Sequence, residues 1–352
     1  MRKTCLKATL AAAALLSAAA PASLAAQSDI LLRLTSGSPA TDRFRVDSAG
    51  GLVSLGTLGL GVIPATGAGE RMMWYPYKAA WRAGSVNGTQ WDDSNVGFYS
   101  LAGGYNTIAT GLASFAMGYQ SQATGSYSTA FGYTANATST GSVALGYRST
   151  ANANYAVAIG QRASANSFTG AIVLSDASST DSVTASANNQ FSLRAAGGVR
   201  LYTNATKTTG VTLNAGGSSW NVVSDRNRKE SFLGIDGEDI LARLRGVPVT
   251  TWRYRDEADR TVRHIGPMAQ DWHRAFGFSA DATTINMSDL DGVNLAAVRA
   301  LEARTAGQAR QLEAQRQEIQ AVRAENAALR AQNQRLEERL RRLEATAGVS
   351  TP

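Results

Sequence analysis

The chain has 352 residues, of which 17% are charged and 44% hydrophobic, a composition that fits neither a disordered chain nor a membrane bundle. One cysteine and two histidines argue against a disulfide framework, a cysteine-based zinc site and a histidine-rich metal centre, so we expect no cofactor. The formal net charge is +7, but the first 26 residues hold three of the cations and no acid. The remaining charge is small and scattered, and we expect no nucleic-acid partner.

The N-terminal segment, residues 1–26, has the pattern of an export signal. Arg2 and Lys3 precede an apolar run over residues 8–20, and the small residues that follow form a cleavage region. A transmembrane anchor is the alternative, but the run is shorter than the roughly 20 residues that a spanning helix needs. We therefore predict an exported protein, extracellular or at the cell surface, with the periplasm as a further option. No later stretch reads as a transmembrane helix.

The sequence predicts a mixed, modular fold, because composition changes several times along the chain. The predicted parts are an N-terminal β-rich region (27–100), a repeat region (101–175), a β-rich stem (176–223), a small α+β module (224–305) and a coiled coil (306–346).

The repeat region has almost no charge and a period of 14 residues. Such a repeat predicts a stack of identical coils, and one period suffices for two strands of about five residues joined by tight turns. Glycine supplies the turn geometry, and alanine fits the inside of a narrow coil. The columns in register are Gly104, Gly118, Gly132, Gly146 and Gly160; Ala102, Ala116, Ala130, Ala144 and Ala158; and Ala109, Ala123, Ala137, Ala151 and Ala165.

Larger apolar residues flank these alanines, for example Phe115 and Met117, or Val143 and Leu145. Side chains alternate along a strand, so if the alanines face inward, the larger residues form an apolar stripe on the outside. An exported protein would not leave that stripe in water, which favours neighbouring copies packed side by side. A monomeric solenoid with the larger residues inside is the alternative.

The units Ser-Val-Ala-Leu-Gly at 142–146 and Ala-Val-Ala-Ile-Gly at 156–160 resemble the head repeats of YadA-like trimeric autotransporter adhesins. The resemblance covers about residues 100–175. It implies a left-handed β-roll that forms a homotrimer and binds a host-surface or glycan ligand. The motif is specific for the architecture rather than for the ligand.

A serine and a lysine five residues apart, Ser224 and Lys229, follow directly on the β-rich stem. A serine hydroxyl becomes a nucleophile when a base takes its proton, and a lysine does so where its pKa falls well below the ordinary value of about 10.4. Arg226 and Arg228 would favour the neutral amine, whereas Asp225 would oppose them. A turn would bring the two side chains together. A polar turn with a solvated lysine is the alternative interpretation.

Three motifs together resemble the endosialidase-type intramolecular chaperone domain, which ends phage tail spikes and bacterial fibres. They are Ser-Asp-x3-Lys at 224–229, Gly-Pro-Met-Ala-Gln-Asp at 266–271 and an apolar helix at 295–301. The resemblance covers about residues 224–305. The chain departs from many members at Asn227, where they carry arginine.

This second resemblance implies a chaperone that trimerises, guides the folding of the fibre in front of it and then cuts itself off. Its serine-lysine dyad maps onto Ser224 and Lys229, and the cut falls between Val223 and Ser224. Asp225 and Gln270 are candidate supporting residues, although a structural role for Gln270 is the alternative.

Local signals predict the elements of the α+β module. Asp236 caps a helix that ends at Gly246, and a strand follows over residues 247–254. Pro267 suits the first turn of a second helix, which ends at Gly277.

The last segment reads as a parallel coiled coil with opposite charges at successive g and e positions, such as Glu318 and Arg323. Paired asparagines at position a often suit dimers, whereas both resemblances imply a trimer. A solvated single helix is the alternative. The a positions are Leu312, Ile319, Asn326, Asn333 and Leu340, and the d positions are Gln315, Val322, Leu329, Leu336 and Leu343.

These observations favour an exported trimeric fibre whose C-terminal domain assembles it and removes itself by one serine-lysine self-cleavage. An uncleaved structural adhesin with a permanent coiled-coil stalk is the alternative. An enzyme acting on polysaccharide is disfavoured, because the repeat region lacks the paired carboxylates that glycoside hydrolysis normally needs.

Overall fold

The computed structural model of the chain describes residues 30–37, 40–278 and 281–348, so the predicted export signal lies outside the described residues. The chain divides into two units: residues up to 201 with 211–221, and residues 202–210 with 222 onward. The first contains a β-solenoid, and the second a small α/β region and a long helix, which confirms the predicted modular fold class. Within the described ranges, no helix has the length and apolarity needed to cross a membrane.

Antiparallel strands precede the solenoid. β1 (Ile30–Ser36), β2 (Thr41–Asp47) and β3 (Leu52–Ser54) form one sheet, and β4 (Gly69–Tyr75) pairs with β5 (Ala80–Val86). A buried cluster that includes Trp91 supports this hairpin, and the Trp91 indole donates to the Thr107 carbonyl over 2.9 Å. β5 then pairs in parallel with the first long strand of the solenoid.

The solenoid alternates long and short strands that stack into two parallel sheets. The strands are β6 (Leu101–Tyr105), β7 (Ile108–Ala109), β8 (Phe115–Tyr119), β9 (Gln122–Ala123), β10 (Thr129–Tyr133), β11 (Asn136–Ala137), β12 (Val143–Tyr147), β13 (Thr150–Ala151), β14 (Val157–Gln161), β15 (Ala163–Ser164), β16 (Ile172–Ser175), β17 (Val183–Thr184) and β18 (Phe191–Arg194).

Both alanine columns face inward and are fully buried, as predicted. The larger residues of the long strands face outward, and Phe131 is 52% exposed. The alternative with the larger residues inside is therefore wrong. The narrow core explains this choice, because alanine fills the inward position of each repeat and a residue as large as valine, Val173, occurs there only in a later coil.

The prediction of two similar strands per coil is wrong in one respect. The long strands have five residues in five successive coils, but the short strands have two. The remaining residues of each coil form turns. In these turns the Ser114 and Ser128 hydroxyls donate to the carbonyls of Gly111 and Gly125, three residues earlier. Each such turn fixes residues that would otherwise extend the short strand.

Two features of the backbone require glycine in the glycine column, a positive φ and a close contact with the next coil. Gly104, Gly118 and Gly146 have φ between 102° and 112°, a range that side chains disfavour. A Cβ at Gly104 would also lie 2.1 Å from the carbonyl oxygen of Gly118 in the next coil. The column therefore sets the close approach of successive coils.

Three short strands follow the solenoid: β19 (Val199–Tyr202), β20 (Gly210–Leu213) and β21 (Trp220–Val222). The second unit then contains the helix α1 (Gly237–Arg245), the hairpin β22 (Thr250–Trp252) and β23 (His264–Gly266), and the helices α2 (Ala269–Phe276) and α3 (Met287–Ala347). Asp236 caps α1 and Gly246 ends it, as predicted. The predicted strand at 247–254 is shorter, and Pro267 precedes the N-cap of α2 instead of lying in its first turn.

A small core joins the three helices, with Ile240, Trp272, Phe276 and Val293 among its buried residues. Helix α3 has 61 residues, and its N-terminal part packs on this core. The apolar helix at 295–301 and the predicted coiled coil are thus one continuous helix.

Candidate functional site

The Ser224 and Lys229 side chains meet at the start of the second unit. The Lys229 ammonium (Nζ) lies 2.8 Å from the Ser224 hydroxyl oxygen (Oγ). This is the contact that a serine nucleophile and its lysine base require. Both residues are exposed in the single chain.

A short 3-10 turn over Arg226–Arg228 brings these two side chains together. Asp225 caps the turn, because its carboxylate accepts from the backbone amide of Asn227 over 2.9 Å. The Lys229 amide in turn donates to the Arg226 carbonyl over 3.2 Å. The predicted supporting residue Asp225 therefore lies beside the dyad, where it shapes the turn.

Arg228 ties this turn to a neighbouring loop of the same unit. Its guanidinium donates to the Thr208 carbonyl over 2.8 Å and lies 3.5 Å from the Asp225 carboxylate. The loop is itself ordered by Asn204, whose carboxamide oxygen accepts from the amides of Thr208 and Thr209. The spacing Asn204-x-Thr206-x-Thr208 was the available sequence signal for this support, and the sequence analysis missed it.

The segment before Ser224 is tied to the residue that follows this loop. The Val223 amide, which belongs to the peptide bond between Val222 and Val223, donates to the Gly210 carbonyl over 3.4 Å. The Val223 side chain is half-buried, whereas the residues after it are exposed. The Val223–Ser224 bond thus lies where an anchored segment meets an exposed turn.

Charged residues of both signs lie in and beside the dyad turn. Arg226 and Arg228 lie between Ser224 and Lys229 in sequence, and the Arg226 guanidinium lies 5.2 Å from the centre of the Phe232 ring. The Asp225 carboxylate faces Arg228.

The structure does not bring the other predicted supporting residue to this turn. Gln270 lies exposed at the start of α2, and among the described residues no hydrogen bond joins it to Ser224 or Lys229. The next residue, Asp271, pairs with Arg274 over 3.0 Å.

The outer face of α3 carries an apolar seam. Its leucine, isoleucine and valine residues at the predicted a and d positions are all exposed in the single chain. The same heptad phase continues back to Val298 and Leu301, which are also exposed, whereas Val293 and Ala297 on another face are buried.

Two segments of the chain match known family models. Residues 224–279 match the chaperone of endosialidase, and residues 109–135 and 137–163 match two copies of the YadA head domain repeat. No curated protein and no solved structure matches the chain.

These matches agree with the two resemblances seen in the sequence. They support the class of adhesin-like fibre proteins in which head repeats precede a C-terminal chaperone. The dyad turn begins at the first residue of the chaperone match, and the solenoid contains both head repeats.

Proposed function

We propose that the chain is an exported homotrimeric fibre whose C-terminal module assembles it and then releases itself by one cut between Val223 and Ser224. The observation that carries this proposal is the 2.8 Å contact between Ser224 and Lys229 at the start of the chaperone match. The YadA head repeats support export to the cell surface or beyond.

Two unpartnered surfaces support the homotrimer. The long strands present outward apolar side chains such as Phe131, and α3 presents an exposed heptad seam. Opposite charges at g and e positions, such as Glu325 and Arg330, favour parallel alignment of the helices. The two matched families favour a trimer over a dimer. Asn326 and Asn333 at a positions are the feature that would suit a dimer.

The cut proceeds through an ester. Neutral Lys229 takes the proton of the Ser224 hydroxyl, and the hydroxyl oxygen attacks the carbonyl carbon of Val223. The carbon–nitrogen bond breaks, and the Ser224 nitrogen leaves as a free amine after gaining a proton. Water then hydrolyses the ester, giving a carboxylate at Val223 and restoring the hydroxyl.

Assembly supplies what the single chain lacks. The dyad is exposed in the single chain. Copies packed around the turn would exclude water from it and hold the Ser224 hydroxyl against the Val223 carbonyl. We therefore expect cleavage to be first-order and to begin only after trimers form.

Substitution of the dyad tests the cut. Wild-type protein should give two fragments, the smaller beginning at Ser224 by N-terminal sequencing. Ser224→Ala should give one uncut band, because it lacks the nucleophile. Lys229→Arg should also give one uncut band, because arginine stays protonated and cannot act as the base. Lys207→Arg in the neighbouring loop is the matched control and should still be cut.

The alternative is an uncleaved adhesin with a permanent stalk. The continuous helix α3, which runs from the module core through the coiled coil, favours it. A single uncut species from wild type after days of incubation would support this stalk and contradict the self-cleavage.

A further inference from the structure

The solenoid carries two rows of tyrosines that differ in one physical respect. In the first, here called the closed row, each ring stacks on the next with centroids 5.0 to 5.1 Å apart. The ring faces of this row are covered by one another. Its members are Tyr105, Tyr119, Tyr133 and Tyr147.

The second row, here called the open row, consists of Tyr99, Tyr127 and Tyr155. These residues occupy the turn before every second long strand and are 55%, 61% and 66% exposed. Ala113 and Gly141 occupy the same turn position in the coils between them. Among the described residues no two rings of this row stack on each other, and each side chain is more than half exposed, so each ring is accessible to a ligand.

The backbone does not explain why tyrosine stands in the open row. All three tyrosines have φ between 58° and 60°. Ala113 and Gly141, at the same turn position, have φ of 52° and 63°. Glycine adopts this conformation freely, whereas a bulky side chain is disfavoured there. The fold itself would accept glycine at each position.

The local packing leaves one ring face free. A Cβ placed on Gly141 would lie 2.8 Å from Cδ1 of Tyr155, so this ring leans over the neighbouring coil. The coil supports one face and solvent covers the other. At the N-terminal end, Tyr99 lies beside Phe98 with ring centroids 6.3 Å apart, which extends the aromatic surface.

The spacing of the open row fits a particular ligand chemistry. Its members lie two coils apart, about 10 Å. In a β-1,4-linked polysaccharide successive sugars are inverted, so every second sugar presents the same face at a comparable spacing. Aromatic faces pack on the C–H faces of sugars. Thr124, Thr138 and Ser126 in the same turns offer hydroxyl groups.

Charge narrows the choice to a neutral polymer. Between Tyr99 and Tyr155 the sequence has one charged residue, Arg148, and its guanidinium lies 5.4 Å from the ring of Tyr147 in the closed row. We propose that the open row binds a neutral, extended β-1,4-linked polysaccharide. This rests on the proposed fibre, in which the copies pack through the long strands and leave the turns free.

Calorimetry on the full chain tests the proposal, with cellohexaose and chitohexaose as probes and α-linked maltohexaose and gelatin as controls. Wild type should bind at least one β-1,4-linked probe and neither control. The double variant Tyr127→Gly/Tyr155→Gly should bind about tenfold or more weakly. Its thermal midpoint should stay equal or rise, because glycine relieves the left-handed backbone. Tyr119→Leu in the closed row is the matched control and should keep its affinity.

Three binding results would overturn the proposal: no binding by wild type, undiminished binding by the double variant, or binding of gelatin that depends on the open row. A fourth result comes from sedimentation of the same samples, which shows whether a failure concerns the polysaccharide site or the proposed trimeric fibre. Loss of trimers in the double variant would make the row an interface between copies and also overturn it. Tyrosine-dependent binding by a wild type that sediments as a monomer would refute the fibre and leave the open row as the binding surface.

Discussion

Arg82 carries a charge into the inside of the solenoid, at the position where later coils place alanine. It is fully buried, and burial lowers its pKa to about 10. Its guanidinium donates to the carbonyls of Ser100 and Ala109 over 3.1 and 3.0 Å and to the Ser100 hydroxyl over 2.9 Å. Both carbonyls also accept a backbone amide, that of Ser100 from Trp81 over 3.0 Å and that of Ala109 from Gly97 over 2.9 Å, so Arg82 adds a second donor to each and ties the first coil together at this end of the stack.

Replacing Arg82 with methionine should destabilise the head. Arg82→Met keeps most of the volume but removes the hydrogen bonds from a charged donor to Ser100 and Ala109, and we expect a loss of about 2 to 3 kcal/mol in the free energy of unfolding. Urea denaturation followed by tryptophan fluorescence measures this, since Trp91 is buried next to this end. Arg148→Met, on the exposed surface of the same solenoid, should change it by about 0.5 kcal/mol or less. Equal effects would contradict this role of Arg82.

At the scale of the element, the other end of the solenoid is closed by Asp176 and Arg194. The Asp176 carboxylate accepts from the Ser178 hydroxyl, the Ala196 amide and the Arg194 guanidinium. These donors hold the pKa of Asp176 well below the ordinary carboxyl range. Arg194 also donates to the Ser175 hydroxyl and to the carbonyls of Asp181 and Ser179.

The stabilisation from Asp176 should disappear in acid. A depressed carboxyl pKa contributes stability that is complete above the unfolded pKa of about 3.9 and is lost as the pH falls through the folded value. Thermal midpoints of Asp176→Asn should therefore lie below wild type at pH 6, and the difference should begin to shrink below about pH 4 and shrink further as the pH falls toward the folded pKa. Asp181→Asn is the control, and its difference from wild type should not depend on pH in this way.

The sequence was sufficient for the repeating coil and insufficient for the strand lengths and for contacts between distant residues. The columns at Gly104 and Ala102 predicted the coil because every unit repeats them. The short strands also carry a repeated alanine column, but the repeat does not show that they are only two residues long, because turn hydrogen bonds decide their length. Ser224 and Lys229 followed from spacing and resemblance, whereas the contact from Arg228 to Thr208 joins residues that only the folded loop brings together. The open row also escaped notice, because the sequence does not show a left-handed φ at Tyr127.

At the scale of the whole molecule, the proposed chaperone solves a problem that the solenoid creates. Successive coils present the same edge, so neighbouring copies have several staggered registers of similar energy. A module that fixes three helices in one register at the C-terminus would align the coils in front of it. After release, the aligned fibre would persist because unfolding is slow.

Removing the module before synthesis should therefore prevent correct assembly. A gene encoding residues 27–223 alone, behind a signal sequence, should give aggregates or mixed oligomers by analytical ultracentrifugation. The uncut Ser224→Ala chain keeps the module and should give uniform trimers. Uniform trimers from the truncated gene would contradict the chaperone role.

The glycine column also has a consequence for how such a head changes over generations. Each coil meets the next through the same close contact, so a duplication or loss of fourteen codons within the repeats preserves every alanine inside and every glycine at its contact. An insertion whose length is not a multiple of fourteen moves larger side chains into the core and glycine away from the contact. Heads of different length are therefore reachable by single recombination events between repeats, and the length of the head can vary in whole coils without any change in its ends.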